Sequence, residues 1–148
     1  MAGETQRVYG TTVTLEASGA AISNNAIGQA DDADVDLSDD TPADYLDGEF
    51  ALTVTYSSAP TAGTTISLIL RPLNIDGTSD TPAPSATYLN EFFGSFMPVA
   101  TTGSQTLRCF ASDVPRMFAA YIFNNATGQT IQSGWSLKFT PVTYSSAS

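Results

Sequence analysis

The chain has no histidine, one lysine (Lys138) and one cysteine (Cys109) among its 148 residues. Each shortage removes a class of chemistry. Without imidazole there is no Ser-His-Asp or Cys-His arrangement, no acid/base group poised near neutral pH and no ordinary zinc site. A lone thiol builds no disulfide scaffold, and a domain of this length needs none, since it buries roughly two thirds of its unfolded surface. Cys109 sits in Leu107-Arg108-Cys109-Phe110 with no lysine nearby to depress its pKa, so it reads as a small buried hydrophobe. No apolar run approaches the roughly 18 residues of a membrane span. The opening Met1-Ala2-Gly3-Glu4-Thr5-Gln6-Arg7 lacks the basic and apolar regions of a secretory signal. The expectation is a protein made in a cytoplasm, with no membrane partner. Cations are scarce too, five against fifteen carboxylates for a net charge of -10, which argues against a grip on nucleic acid and for solubility or a basic protein partner.

What is present is strand periodicity. In Phe50-Ala51-Leu52-Thr53-Val54-Thr55-Tyr56 the large apolar residues fall on alternate positions, the signature of a half-buried strand. Turn residues from Ser57 to Gly63 follow, and Thr64 to Arg71 resumes a β-rich run, so the pair predicts a hairpin with Pro60 and Gly63 in its connection. Phe118 to Phe123 is apolar on both alternating sets, as a central strand covered on both faces would be. Trp135, Leu137 and Phe139 alternate with Ser136, Lys138 and Thr140 in a closing strand. Thr11 to Glu16, Ala20 to Ile27, Ala33 to Leu37, Tyr88 to Val99 and Gln105 to Ala111 complete a set of about eight short strands. The fold class predicted is all-β, a single-domain antiparallel β-sandwich, jelly-roll-like. One turn of helix fits only at Tyr88 to Phe93, and Asn74 to Ser85 reads as a long surface loop.

The acidic cluster from Asp31 to Glu49 is where metal chemistry could hide. Asp32, Asp34 and Asp36 open like an EF-hand calcium loop, in which alternate carboxylates turn toward one cation. The rest of that motif fails: Leu37 stands where the sharp turn needs glycine and Ala43 where a bidentate glutamate should close the site. A short strand explains the same residues, with Ala33, Val35 and Leu37 inward and the aspartates in water. Accordingly no cofactor is expected, and Asp32, Asp34 and Asp36 are the candidates should a cation bind. Glu49, Glu91 and Asp113 are candidates for an acid/base pair, although scattered surface acids are the default reading. Asn125-Ala126-Thr127 matches a glycosylation acceptor and reads more simply as a turn. Trp135, Phe92, Phe93 and Phe96 suit either the core or a sugar-stacking surface.

The ordered series Phe50 to Tyr56, Ala59-Pro60-Thr61-Ala62-Gly63-Thr64, Leu68-Ile69-Leu70-Arg71-Pro72, Gly94-Ser95-Phe96, Asp113-Val114-Pro115 and Phe123 to Thr130 resembles small virion proteins of tailed bacteriophages. In particular it is similar to the jelly-roll decoration, or cement, proteins of icosahedral heads. The resemblance spans Phe50 to Thr143. It implies a non-enzymatic protein on the outer capsid surface of a virion, made in the host cytoplasm, with the major capsid protein as partner and a homo-oligomer, dimer or trimer, as its state. It carries over fold and role, and no contact residue. Residues 1–10 precede the first clear strand and are expected to form an N-terminal arm, with residues 11–148 as the sandwich; Arg7, Val8 and Tyr9 are then the candidate capsid contacts. The alternative is a carbohydrate-binding β-sandwich module of a phage fibre or secreted enzyme, because one sandwich architecture serves many functions.

Overall fold

The computed structural model describes residues 5–38 and 46–146. Ala43, the expected failure point of the calcium loop, lies outside them, as do residues 1–4 of the expected arm. The described residues contain no helix and ten strands: β1 (Thr5–Tyr9), β2 (Val13–Gly19), β3 (Ile27–Gln29), β4 (Val35–Asp36), β5 (Asp47–Tyr56), β6 (Thr65–Pro72), β7 (Phe92–Phe96), β8 (Gly103–Ala111), β9 (Met117–Asn125) and β10 (Trp135–Ser146).

These strands make two antiparallel sheets. In the first, β10 lies between β5 on one side and, on the other, β2 and then β1, with β8 beyond β5 at the far edge. In the second, β3 and β4 share the edge beside β9, followed by β6 and β7. Each split edge counts as one strand position, so the ten segments occupy eight. Their sequence order is first, eighth, third, sixth in one sheet and second, seventh, fourth, fifth in the other. That is the jelly-roll arrangement expected from the strand count.

The alternation explains the layers. Along β5 every second residue is buried: Phe50, Leu52, Val54 and Tyr56 are each at most 1% exposed. They meet Phe118, Ala120 and Ile122 of β9 and Ile66, Leu68 and Leu70 of β6 in one core. Phe50 and Phe139 of the first sheet and Phe118 of the second form an aromatic knot, with ring centroids 4.9 Å apart for Phe50–Phe139 and 5.3 Å for the edge-on pair Phe118–Phe139. Each fully buried Phe or Leu contributes about 1.5–3 kcal/mol of transfer free energy, so these layers dominate the stability. Cys109 belongs here as well; it is buried, and burial pushes its thiol pKa up, which keeps it unreactive.

Four expectations change. β5 and β6 are not a hairpin: β5 pairs with β8 and β10, β6 with β7 and β9, and the Ser57 to Thr64 connection crosses between sheets. Periodicity reports which face a residue occupies but not which strand lies beside it. The stretch Ala20 to Ile27 is mostly connection, because Asn25 adopts a left-handed conformation (φ 59°) and only Ile27 begins a strand; Ile22 makes a single bridge to Ile131. Of Tyr88 to Val99, only Phe92–Phe96 is strand, preceded by left-handed Glu91 (φ 60°), and no helical turn forms at Tyr88. Finally, Thr5–Tyr9 of the expected arm is β1, in register with Val142–Ser146 from Thr5↔Ser146 to Tyr9↔Val142.

Apart from the short links within the two split edges, β1 to β2 and β3 to β4, one connection among the described strands stays within its own sheet, the long segment from β6 to β7. It packs back over the outer face of that sheet. Leu73 and Leu89 rest on a second apolar cluster of Ile69, Ala119, Tyr121 and Phe123, joined by Ile27. Arg71 secures the segment, its Nε donating to the Thr81 carbonyl at 2.7 Å and its guanidinium 3.7 Å from Asp80. This accounts for the two-sided burial of β9.

Candidate interaction face

Among the described residues, no segment covers the outer face of the first sheet in this way. Antiparallel pairs place directly opposed residues on one face, and this face is laced by cross-strand polar contacts: Thr12 to Thr140 at 2.7 Å, Thr53 to Thr106 at 3.0 Å, and Arg108 to Glu49 at 3.3 Å. Strand alternation with Arg108 brings Phe110 outward, and alternation with Lys138 brings out Tyr144.

At one end the face turns aromatic. Tyr9, Tyr144 and Phe110 are 53%, 47% and 38% exposed. Arg7, opposite Tyr144 in the register, lays its guanidinium over the Phe110 ring, 5.0 Å from the centroid. The Tyr9 hydroxyl, followed by Tyr144, holds the guanidinium's pKa above its ordinary value. Val142 lies buried between these exposed neighbours. Of the three residues named as capsid contacts, Arg7 and Tyr9 therefore meet on this face. Val8, at the intervening position of β1, points to the other side of the strand.

The aspartate series does not gather into one site. Asp32 joins Glu16 and Asp31, one carboxylate oxygen of each lying within 4.8 Å of the others, while Asp34 and Asp36 stand apart. Glu16 is buried, and its oxygens accept from the backbone N–H groups of Ser18 at 2.9 Å and Asp31 at 3.3 Å; Asp32 accepts from Ala17 at 2.6 Å. The Glu16 and Asp32 carboxylates are thus already employed in holding β2 against the β3 to β4 connection. Asp36 caps Ser38, whose hydroxyl and N–H lower its pKa. Val35 and Leu37 are buried, Ala33 is half-buried and Asp32, Asp34 and Asp36 are exposed, the alternation expected of a solvated strand, although only Val35–Asp36 is strand. The sequence pattern missed Glu16 because it lies fifteen residues before Asp31.

The other candidates disperse. Glu49 is on β5 and paired with Arg108, Glu91 precedes β7 in the other sheet, and Asp113 occupies the β8 to β9 turn, donating its backbone N–H to Asp47. Trp135 is 2% exposed and its indole N–H donates to the Ala20 carbonyl at 2.8 Å, so it is core; Phe96 is also buried, whereas Phe92 is exposed. Asn125-Ala126-Thr127 is a turn, with Ala126 at φ 56°. Its threonine is fully buried beside Asn124, whose side-chain amide donates to Ile22, Ser23 and Gln129 carbonyls.

Compared with known proteins, the chain matches no family model, no curated protein and no solved structure.

Proposed function

We propose that this jelly roll is a non-enzymatic binding protein, and that its role is to decorate the outer capsid of a tailed bacteriophage, stabilising contacts between major capsid subunits. The observation that carries the reading is the open sheet face ending in Arg7, Tyr9, Phe110 and Tyr144, on a sandwich whose other outer face is covered by its own chain. A cement must add contact across a seam and remain folded while doing so. A two-layer core with one adhesive face meets both needs. The sequence resemblance to decoration proteins and the absence of histidine support the same role. Several copies held together would bind a repeating lattice with added avidity, which is why a dimer or trimer is included in the proposal.

The test uses phage particles that lack this chain. Added protein is expected to bind expanded shells saturably, at a fixed ratio to the major capsid protein, and to raise the temperature at which they rupture. Failure to bind, or binding with no gain in particle stability, refutes the role. The carbohydrate-binding reading ranks second, on the strength of the exposed Tyr9 and Tyr144 rings.

A further inference from the structure

We propose that the Arg7 patch is a receptor for a carboxylate-bearing segment of a protein partner, an inference that rests on the shell-binding reading and names its chemistry. The chain has five cations against fifteen carboxylates, and what sets Arg7 apart is that its guanidinium lies over an exposed ring and between two exposed tyrosines. Arg71 is paired with Asp80 and Arg108 with Glu49. Among the described residues, Arg7, Arg116 and Lys138 have no carboxylate within ion-pair distance, and of these Arg7 and Lys138 stand on the open face.

The neighbouring acids on that face do not compete for Arg7. Glu49 is held by Arg108, and Asp47 accepts the Asp113 N–H at 3.0 Å. Phe110 lies beside the Arg7 guanidinium and the Tyr9 and Tyr144 hydroxyls accept hydrogen bonds from it, so the group is held in place among rings from β1, β8 and β10, and its planar fork suits a carboxylate better than a lysine ammonium would. Tyr9 and Tyr144 flank it as exposed amphipathic rings, and Tyr with Arg is the composition of interface hot spots. A nucleic acid would need a row of free cations to meet successive phosphates, and this face offers only Arg7 and Lys138 outside the Arg108–Glu49 pair, whereas one carboxylate needs a single local cation despite the chain's net charge of -10. A neutral glycan would use the rings and leave the guanidinium without a counter-charge. An acidic side chain beside an apolar one satisfies both parts of the patch.

Nuclear magnetic resonance of the full-length ¹⁵N-labelled chain tests this without any capsid. The probes are a synthetic peptide of alternating Glu and Leu, a matched Lys and Leu peptide, and a neutral glucan oligosaccharide. Saturable shifts of the Arg7, Tyr9, Phe110 and Tyr144 amides are expected with the Glu peptide alone, in the millimolar range, and weakened in about 0.5 M salt. Arg7→Ala is expected to lower affinity about tenfold or more, and Arg7→Lys to restore only part of it. Each variant's unchanged spectrum away from the patch certifies folding, and Phe110→Leu gives an independent variant that removes the neighbouring ring. No saturable shift up to about 10 mM, equal response to the Lys peptide, or response to the glucan instead overturns the proposal. If particles are decorated but the Glu peptide fails, the patch chemistry falls and the shell reading stands. If the peptide binds and particles do not, the reverse holds.

Discussion

The two outer faces of this sandwich have opposite fates. Over the second sheet the β6 to β7 segment lays Leu73 and Leu89 on Ile69, Ala119, Tyr121 and Phe123, turning an outer surface into a small second core. Over the first sheet no segment of the described chain does this, and cross-strand threonine pairs and ion pairs occupy the surface until it reaches the Arg7 patch. Residues of the covered face therefore answer to stability, and those of the open face are the ones that the proposed role assigns to a partner. Covering one face also leaves a single broad surface on which a partner can dock flat.

The sharpest way to break this contrast is to truncate both faces. Ile69→Ala, at a position 1% exposed, is expected to lose about 3 kcal/mol in urea unfolding, from lost transfer energy plus a cavity. A loss under about 1 kcal/mol would mean that the second cluster is not a core. Arg71→Ala, which releases the Thr81 carbonyl and Asp80, is expected to cost about 1.5 kcal/mol and to speed proteolysis between residues 74 and 90; unchanged cleavage would show that other contacts hold the segment. On the open face Phe110→Ala is expected to cost less than about 1 kcal/mol while weakening particle binding, and a larger cost would make Phe110 a structural residue.

Acid provides a finer probe of the covering segment. Asp76 is fully exposed, yet the N–H groups of Ser79 and Thr78 lower its pKa from 3.8 to about 2. A depressed folded-state value means that the turn's contribution is complete above 3.8 and is lost as pH falls through about 2. The Asp76 carboxyl resonance is expected to titrate near that value, with the Thr78 and Ser79 amides moving with it; a midpoint near 4 would mean that this turn is not formed in solution. The smallest effect expected is that of chelator. Because Glu16 and Asp32 already accept backbone N–H groups, EDTA is expected to leave the melting temperature unchanged, and a loss reversed by calcium would make Glu16, Asp31 and Asp32 a cation site.

The fold was largely legible because burial writes itself into period-two alternation. Phe50 to Tyr56 showed a one-sided strand, Phe118 to Phe123 a two-sided one, and Val35 with Leu37 a short inward pair among aspartates. Partnership was not legible. The alternation of β5 is the same whether its neighbour is β6 or β8, so the expected hairpin failed while both strands survived. Left-handed Asn25 and Glu91 cut two expected strands short, since asparagine tolerates that conformation and glutamate shows no sign of it in advance. At the patch, the outward direction of Phe110 followed from Arg108 two residues before it. The approach of Arg7 to Phe110 did not, because it joins residues 103 positions apart in the chain, 110 less 7, on strands that do not pair.

The place of β10 governs how the molecule can be made. It follows the other nine described strands in sequence and is an interior strand of its sheet, filling the gap between β5 and the β1–β2 edge. Until Trp135 to Ser146 leaves the ribosome, the first sheet lacks its middle, and Phe139 is missing from the aromatic knot. The earlier strands β1, β2 and β5 must wait for β10, a long-range closure that slows folding and postpones completion of the first sheet until this segment has been made.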